Sequence, residues 1–129
     1  MRKQYISTDE HGNRLYYSDK SMTVLHREDG PAIVSANGFK AWYIGGKRHR
    51  EDGPAIEWAI GSNVWYINGK RHREDGPAVE EVDGFKEWYI DGKRLTEDEL
   101  KNHLTLLPKN RRSRSAPPVY FKKWNYPRY

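Results

Sequence analysis

The heptapeptide His-Arg-Glu-Asp-Gly-Pro-Ala occurs at His26–Ala32, His49–Ala55 and His72–Ala78, each copy 23 residues after the last. A second block keeps the same interval: Trp42-Tyr43-Ile44-Gly45-Gly46-Lys47-Arg48, Trp65-Tyr66-Ile67-Asn68-Gly69-Lys70-Arg71 and Trp88-Tyr89-Ile90-Asp91-Gly92-Lys93-Arg94. A chain that repeats in this way builds one supersecondary unit several times over, and each unit buries its apolar face only against its neighbours.

Between the blocks the residues differ, yet a turn stays at nearly the same offset, through Asn37-Gly38, Gly61-Ser62-Asn63 and Asp83-Gly84. Such pairs favour the positive φ of tight hairpins, and they separate short stretches rich in Ile, Val, Trp, Tyr and Phe. Each repeat therefore reads as two strands and two turns. In the middle copy, Ala55–Ile60 is one strand, Val64–Ile67 is the return strand and Asn68-Gly69 is the next turn. Proline cannot donate to a ladder, so Asp29-Gly30-Pro31, Asp52-Gly53-Pro54 and Asp75-Gly76-Pro77 read as one column of structural turns. Strands lie about 4.8 Å apart, so three two-strand repeats predict a slab about 30 Å long. Alternation stacks Trp42, Trp65 and Trp88 in one ladder and Tyr43, Tyr66 and Tyr89 in another. One ladder is expected to be core and the other, the tyrosines, a candidate docking surface.

The ends depart from the period. Residues 1–25 read as a degenerate capping repeat, because ten positions separate Tyr16 from His26 where seven separate Trp42 from His49. Residues 26–95 are the three full repeats. After Arg94 the chain continues Leu95-Thr96-Glu97-Asp98-Glu99-Leu100 in place of another heptapeptide. Thr96 with Glu99 three residues on is a capping box, and Leu100, His103 and Leu104 fall at helical spacing. A short helix from about Glu97 to Leu106 is predicted to cover the open end of the sheet, within a capping unit of residues 96–107, with Pro108 as its stop. The expected fold is mainly β: an elongated antiparallel single-sheet array of hairpin repeats, a short C-terminal capping helix, and an irregular basic, aromatic arm over 108–129.

The 129 residues leave room for one domain, or for one domain plus a tail. With no cysteine there is no thiolate nucleophile, disulfide or Cys-based zinc site, which suits a reducing, cytoplasmic setting. Apolar residues make up 36%, so the core is expected to be thin, and no apolar run reaches the roughly 18 residues that span a bilayer. The net charge of +5 hides an uneven distribution. All 18 acids lie at or before Glu99, against sixteen cations before Pro108, and seven cations with no acid follow it. A near-neutral body carries a cationic tail.

His26, Glu28 and Asp29, with their copies, are the right residue types for a metal site or an acid–base pair. Three identical copies at a fixed period argue instead for structural turns, with Asp capping backbone amides and His bonding a neighbour. No catalytic residue, metal site or cofactor is expected. Lys47-Arg48, Lys70-Arg71 and Lys93-Arg94, with Arg50 and Arg73, either line up as a basic stripe or pair with Glu28, Glu51 and Glu74 of adjacent repeats. Local alternation of sign favours the pairing. In the arm, Arg111, Arg112 and Arg114 precede Pro117-Pro118 and then Tyr120, Phe121, Lys122, Lys123, Trp124, Tyr126 and Tyr129. This is a basic linker joined to an aromatic anchor that folds onto a partner or back onto its own sheet. Contact of the linker with RNA or DNA is a third reading, and it would be salt-dependent.

The 23-residue period with its Trp-Tyr-Ile-x-Gly-Lys-Arg element resembles the MORN-type repeats, including the divergent group in small phage proteins and YwqK-like antitoxin components. The resemblance covers Leu25 to Arg94. It implies a hairpin-repeat sheet that binds other proteins, or sometimes lipid headgroups, rather than a catalyst. The copies depart from the usual Gly-rich pattern by carrying Glu-Asp-Gly-Pro-Ala, which argues against lipid. The resulting expectation is a non-enzymatic protein-binding module, an inhibitor or antitoxin-like chain that occludes a host or toxin protein, in the host cytoplasm if phage-encoded. The alternative is a nucleic-acid-binding protein acting through the arm. Exposed strand edges leave a homodimer open.

Overall fold

The structure, a computed structural model, describes residues 3–106. The strands in chain order are β1 (Tyr5–Thr8), β2 (Arg14–Tyr17), β3 (Ile33–Val34), β4 (Lys40–Ala41), β5 (Tyr43–Ile44), β6 (Lys47–Arg48) and β7 (Ile56–Glu57). They continue as β8 (Asn63–Val64), β9 (Tyr66–Ile67), β10 (Lys70–Arg71), β11 (Val79–Glu80), β12 (Lys86–Glu87), β13 (Tyr89–Ile90) and β14 (Lys93–Arg94), before helix α1 (Glu97–Leu106). Each full repeat thus forms two hairpins. The first hairpins join an eight-stranded antiparallel sheet in the order β1-β2-β3-β4-β7-β8-β11-β12, and the second form three two-stranded ribbons, β5-β6, β9-β10 and β13-β14.

Turn chemistry separates the two kinds of hairpin. In the main sheet the turns close by one pattern, with Ser35 N–H donating to Phe39 O at 2.9 Å and Gly38 N–H to Ser35 O at 3.0 Å. Trp58–Ser62 and Glu81–Phe85 repeat it, and Gly38, Gly61 and Gly84 take φ of 100°, 105° and 95°. The ribbons turn through two residues, both at positive φ: 56° and 84° at Gly45-Gly46, 51° and 82° at Asn68-Gly69. That is the type I′ geometry a two-residue hairpin demands.

The return strand expected over Val64–Ile67 is interrupted at Trp65. Its N–H donates to Ala78 O at 2.7 Å in the main sheet, while its C=O accepts from His72 N–H at 3.1 Å in the ribbon. Trp42 does the same between Ala55 and His49. One residue serves two ladders, so the chain changes sheet there. Successive ribbons are then tied together, with Gly69 N–H on Arg48 O at 2.8 Å and Arg50 N–H on Tyr66 O at 3.1 Å.

Register sets Leu15, Ile33, Ala41, Ile56, Val64 and Val79 on one face of the main sheet. Ala41, Ala55, Ile56 and Tyr66 form a buried cluster, with Ile33, Phe39, Trp42, Tyr43 and Val64 packed against it. The alanine that ends each heptapeptide, Ala32, Ala55 or Ala78, is fully buried.

At the N-terminal end Tyr16 takes the position of the tryptophans, with its N–H on Ala32 O at 2.7 Å and its C=O accepting from His26 N–H at 3.0 Å. The extra residues before His26 form a loop in which Asp19 accepts the N–H of Thr23 and Val24. At the other end Leu95 replaces the histidine, and its N–H reaches Trp88 O at 2.8 Å. The capping box forms as expected: Glu99 N–H donates to Thr96 Oγ1 at 3.2 Å, and Thr96 N–H to Glu99 Oε1 at 3.0 Å. Trp88 and Leu100 are fully buried. No helix among the described residues is long and apolar enough to cross a membrane.

The carboxyls that folding depresses lie towards the two ends of the array. Asn13 holds the Asp9 carboxyl below its ordinary value, the Thr23 hydroxyl does so for Asp19, and the Thr96 backbone N–H for Glu99. A carboxyl depressed on folding stabilises at neutral pH, and the contribution is lost as pH falls through the folded-state value. Acidification is therefore expected to release the amides of residues 9–13, 19–24 and 96–100 before those of the central repeats. Residue-resolved hydrogen exchange from pH 7 to pH 3 checks this, and simultaneous release along the whole array would refute it.

Candidate functional site

The heptapeptide arginine is the organising side chain of each repeat. Arg50 Cζ lies 3.8 Å from the Trp42 ring centroid, Arg73 lies 3.9 Å from that of Trp65, and Arg27 lies 4.0 Å from that of Tyr16. Each guanidinium caps the aromatic residue of the preceding unit. Arg50 also donates Nε to Asp52 Oδ1 at 3.0 Å, and Nη1 to Pro54 O at 3.0 Å and Glu57 Oε2 at 3.1 Å. Arg73 repeats this with Asp75, Pro77 and Glu80. The turn aspartates therefore receive an arginine Nε, where capping of backbone amides was expected.

This arrangement gives Asp-Gly-Pro its glycine. Gly30, Gly53 and Gly76 do not need positive φ, but a Cβ at each would lie 3.0, 2.9 and 2.8 Å from the Cζ of Arg27, Arg50 and Arg73. The guanidinium occupies the space a side chain would fill.

The histidines staple successive repeats. Nδ1 of His26, His49 and His72 accepts the N–H of Gly45, Asn68 and Asp91, at 2.8, 3.0 and 2.9 Å, in the ribbon turn of the next unit. With Nδ1 accepting, Nε2 carries the proton and donates to Glu28, Glu51 or Glu74, each at 3.2 Å. Replacing His49 with Ala removes one cross-repeat bond and leaves the Asn68 N–H to water. We expect a loss of about 1 kcal/mol in urea denaturation, and a change below a third of that would show that the staple does not stabilise the array.

Between successive heptapeptides run shallow grooves of about 660 and 840 Å³. Their floors are Trp42 with Ile44 and Trp65 with Ile67, and each is lined by two arginines and four carboxylates. Both arginines are held by acids of their own copy, while the Glu51 and Asp52 side chains are 83% and 87% exposed. The grooves therefore carry negative rims at a repeated spacing. Among the described residues no group of three His, Asp or Glu could hold a metal ion.

The basic pairs behave differently from the expected pairing with Glu28, Glu51 and Glu74. Arg48 donates Nε to Tyr43 OH at 3.3 Å and lies over the Tyr66 ring, and Arg71 donates Nη1 to Tyr89 OH at 3.2 Å. These contacts hold the Arg48 and Arg71 guanidiniums charged more firmly than usual, with the Tyr43 and Tyr66 hydroxyls respectively as the largest causes. The tyrosine column is unevenly exposed. Tyr66 is buried in the core, Tyr43 packs against it, and Tyr89 is half-buried. Sequence reasoning missed the arginine ladder, although the invariant Arg two residues before each Asp-Gly was its visible signal. Arg111, Arg112, Arg114, Tyr120, Phe121, Lys122, Lys123, Trp124 and Tyr126, with Pro108, lie outside the described residues.

No protein-family model, curated protein or solved structure matches the chain.

Proposed function

We propose that the chain is a non-enzymatic repeat module that binds a protein partner and acts by occlusion, in the manner of a phage-type inhibitor or antitoxin. The observation that carries this reading is the row of grooves with exposed acidic rims, held in place by locked arginines and cross-repeat histidine bonds. A surface already ordered loses little entropy on docking, so modest contacts give useful affinity. Repetition of the same constellation supports an extended binding face better than a single reacting centre. The resemblance to MORN-type repeats points the same way, and a cytoplasmic site of action fits a chain with no cysteine.

The test is a pull-down from nuclease-treated source lysate with the full chain and with its Glu51→Lys variant. A stoichiometric protein complex that survives nuclease and weakens with Glu51→Lys supports the reading. Recovery of no protein overturns it. A second reading rests on the seven cations and no acid from Pro108 onward. It places nucleic acid on the arm, and then log affinity falls linearly with log salt and binding disappears without residues 108–129.

A further inference from the structure

Among the three full repeats, one main-sheet turn differs from the other two. Asn37 and Asp83 accept the N–H two residues on through Oδ1, from Phe39 at 3.0 Å and Phe85 at 2.9 Å. The equivalent position in the second full repeat is Ile60, which forgoes that bond and is 71% exposed. Beside it Trp58 is 50% exposed, with its ring 4.7 Å from Phe39, and Val82 of the next turn is 64% exposed. Adjacent turns touch here, since a Cβ on Gly61 would lie 3.7 Å from Val82 Cγ2. The result is an apolar patch on the turn side of the array, centred on the turn of the second full repeat.

A bare apolar patch on a soluble surface marks a binding site or an aggregation hazard. Val82 is flanked by Glu81 and Asp83, both at exposed positions, while Lys40 faces Glu57 on the neighbouring strands. An occupant that suits the patch is aromatic and cationic. The chain carries such a segment: five aromatics from Tyr120 to Tyr129, within an arm of seven cations and no acid. The thirteen residues between α1 and Tyr120 span up to about 43 Å when extended, and eight strands cover about 34 Å. Reach is sufficient to any part of the sheet. Tethering also gives the arm an effective concentration of order millimolar, which favours it over a free competitor of equal affinity.

We infer that the C-terminal arm, through its Tyr120–Tyr129 aromatics, docks on the Trp58, Ile60 and Val82 patch of its own chain. This docking is separate from the groove face of the proposed function and stands whether or not that reading holds.

The test uses the full chain with the photo-cross-linker p-benzoylphenylalanine at position 60 or, in a second variant, at position 82. Both sites are exposed, so at least one variant is expected to keep the wild-type melting curve. Irradiation at low micromolar concentration should give a monomer-mass adduct that maps to residues 117–129. A Phe121→Ser, Trp124→Ser change in the same chain should lower its yield at least tenfold. A dimer-mass adduct would assign the patch to a second copy, and absence of any adduct would leave it to a foreign partner; either outcome overturns the inference.

Discussion

Arg50→Ala is expected to lower the free energy of unfolding by about 2–4 kcal/mol, among the larger single-residue effects in the described array. Its salt bridge to Asp52 contributes little to that figure, because the carboxylate is 87% exposed and screened. The weight lies in the contacts that are shielded from water. The arginine side chain is 22% exposed, its guanidinium covers the Trp42 ring at 3.8 Å, and its Nη1 fills the Pro54 carbonyl at 3.0 Å. Removal uncovers an indole face and orphans a partly buried acceptor at once. Arg50→Lys should recover less than half of the loss, because an ammonium cannot stack flat on the ring while donating along two directions. Urea denaturation of the wild type and the two variants decides the matter. A cost below 1 kcal/mol for Arg50→Ala, or full recovery by Lys, would mean that the ladder is decorative.

The second large effect is conditional on the first. On backbone grounds Gly53→Ala should stabilise by about 0.4–1 kcal/mol, since Gly53 is not left-handed and alanine restricts the unfolded chain. The new Cβ, however, would stand 2.9 Å from Arg50 Cζ. A free arginine would swing aside, but this one is fixed by Trp42, Asp52, Pro54 and Glu57. Displacing it is expected to cost about 1–3 kcal/mol, as overpacking does elsewhere. In an Arg50→Ala background the same substitution should be neutral or stabilising. A double-mutant cycle therefore predicts a coupling energy of at least about 1.5 kcal/mol between positions 50 and 53. Additive effects would show that the glycine is kept for some other reason. Gly38 serves as the contrast, because its φ of 100° strains any side chain whatever arginine is present.

Much of the architecture was legible in the chain. The 23-residue period, the turns at Asn37-Gly38, Asn68-Gly69 and Asp83-Gly84, and the capping box at Thr96 and Glu99 are local signals, and each appears where local chemistry puts it. The interrupted return strand was not legible. Val64-Trp65-Tyr66-Ile67 is a continuous run of good strand formers, and nothing in it says that Trp65 must bond forward to Ala78 and back to His72. That choice depends on which strand lies alongside each side of the residue. Charge was misread for the same reason. Arg50 and Glu51 are neighbours in the chain, but the arginine turns to Trp42 and Pro54 while the glutamate takes His49.

The sequence by itself determined the repeat, its hairpin turns, the absence of cysteine chemistry and the short helix that follows the last repeat, because these rest on spacing and on backbone preferences of single residues. Tertiary structure alone decided which tyrosines are buried, which cations are held against aromatic rings, why Gly53 has no side chain, and where Trp58 and Ile60 come to lie beside Val82. Those outcomes are set by contacts between residues of different strands and different repeats, and one-dimensional order carries no record of which faces will meet.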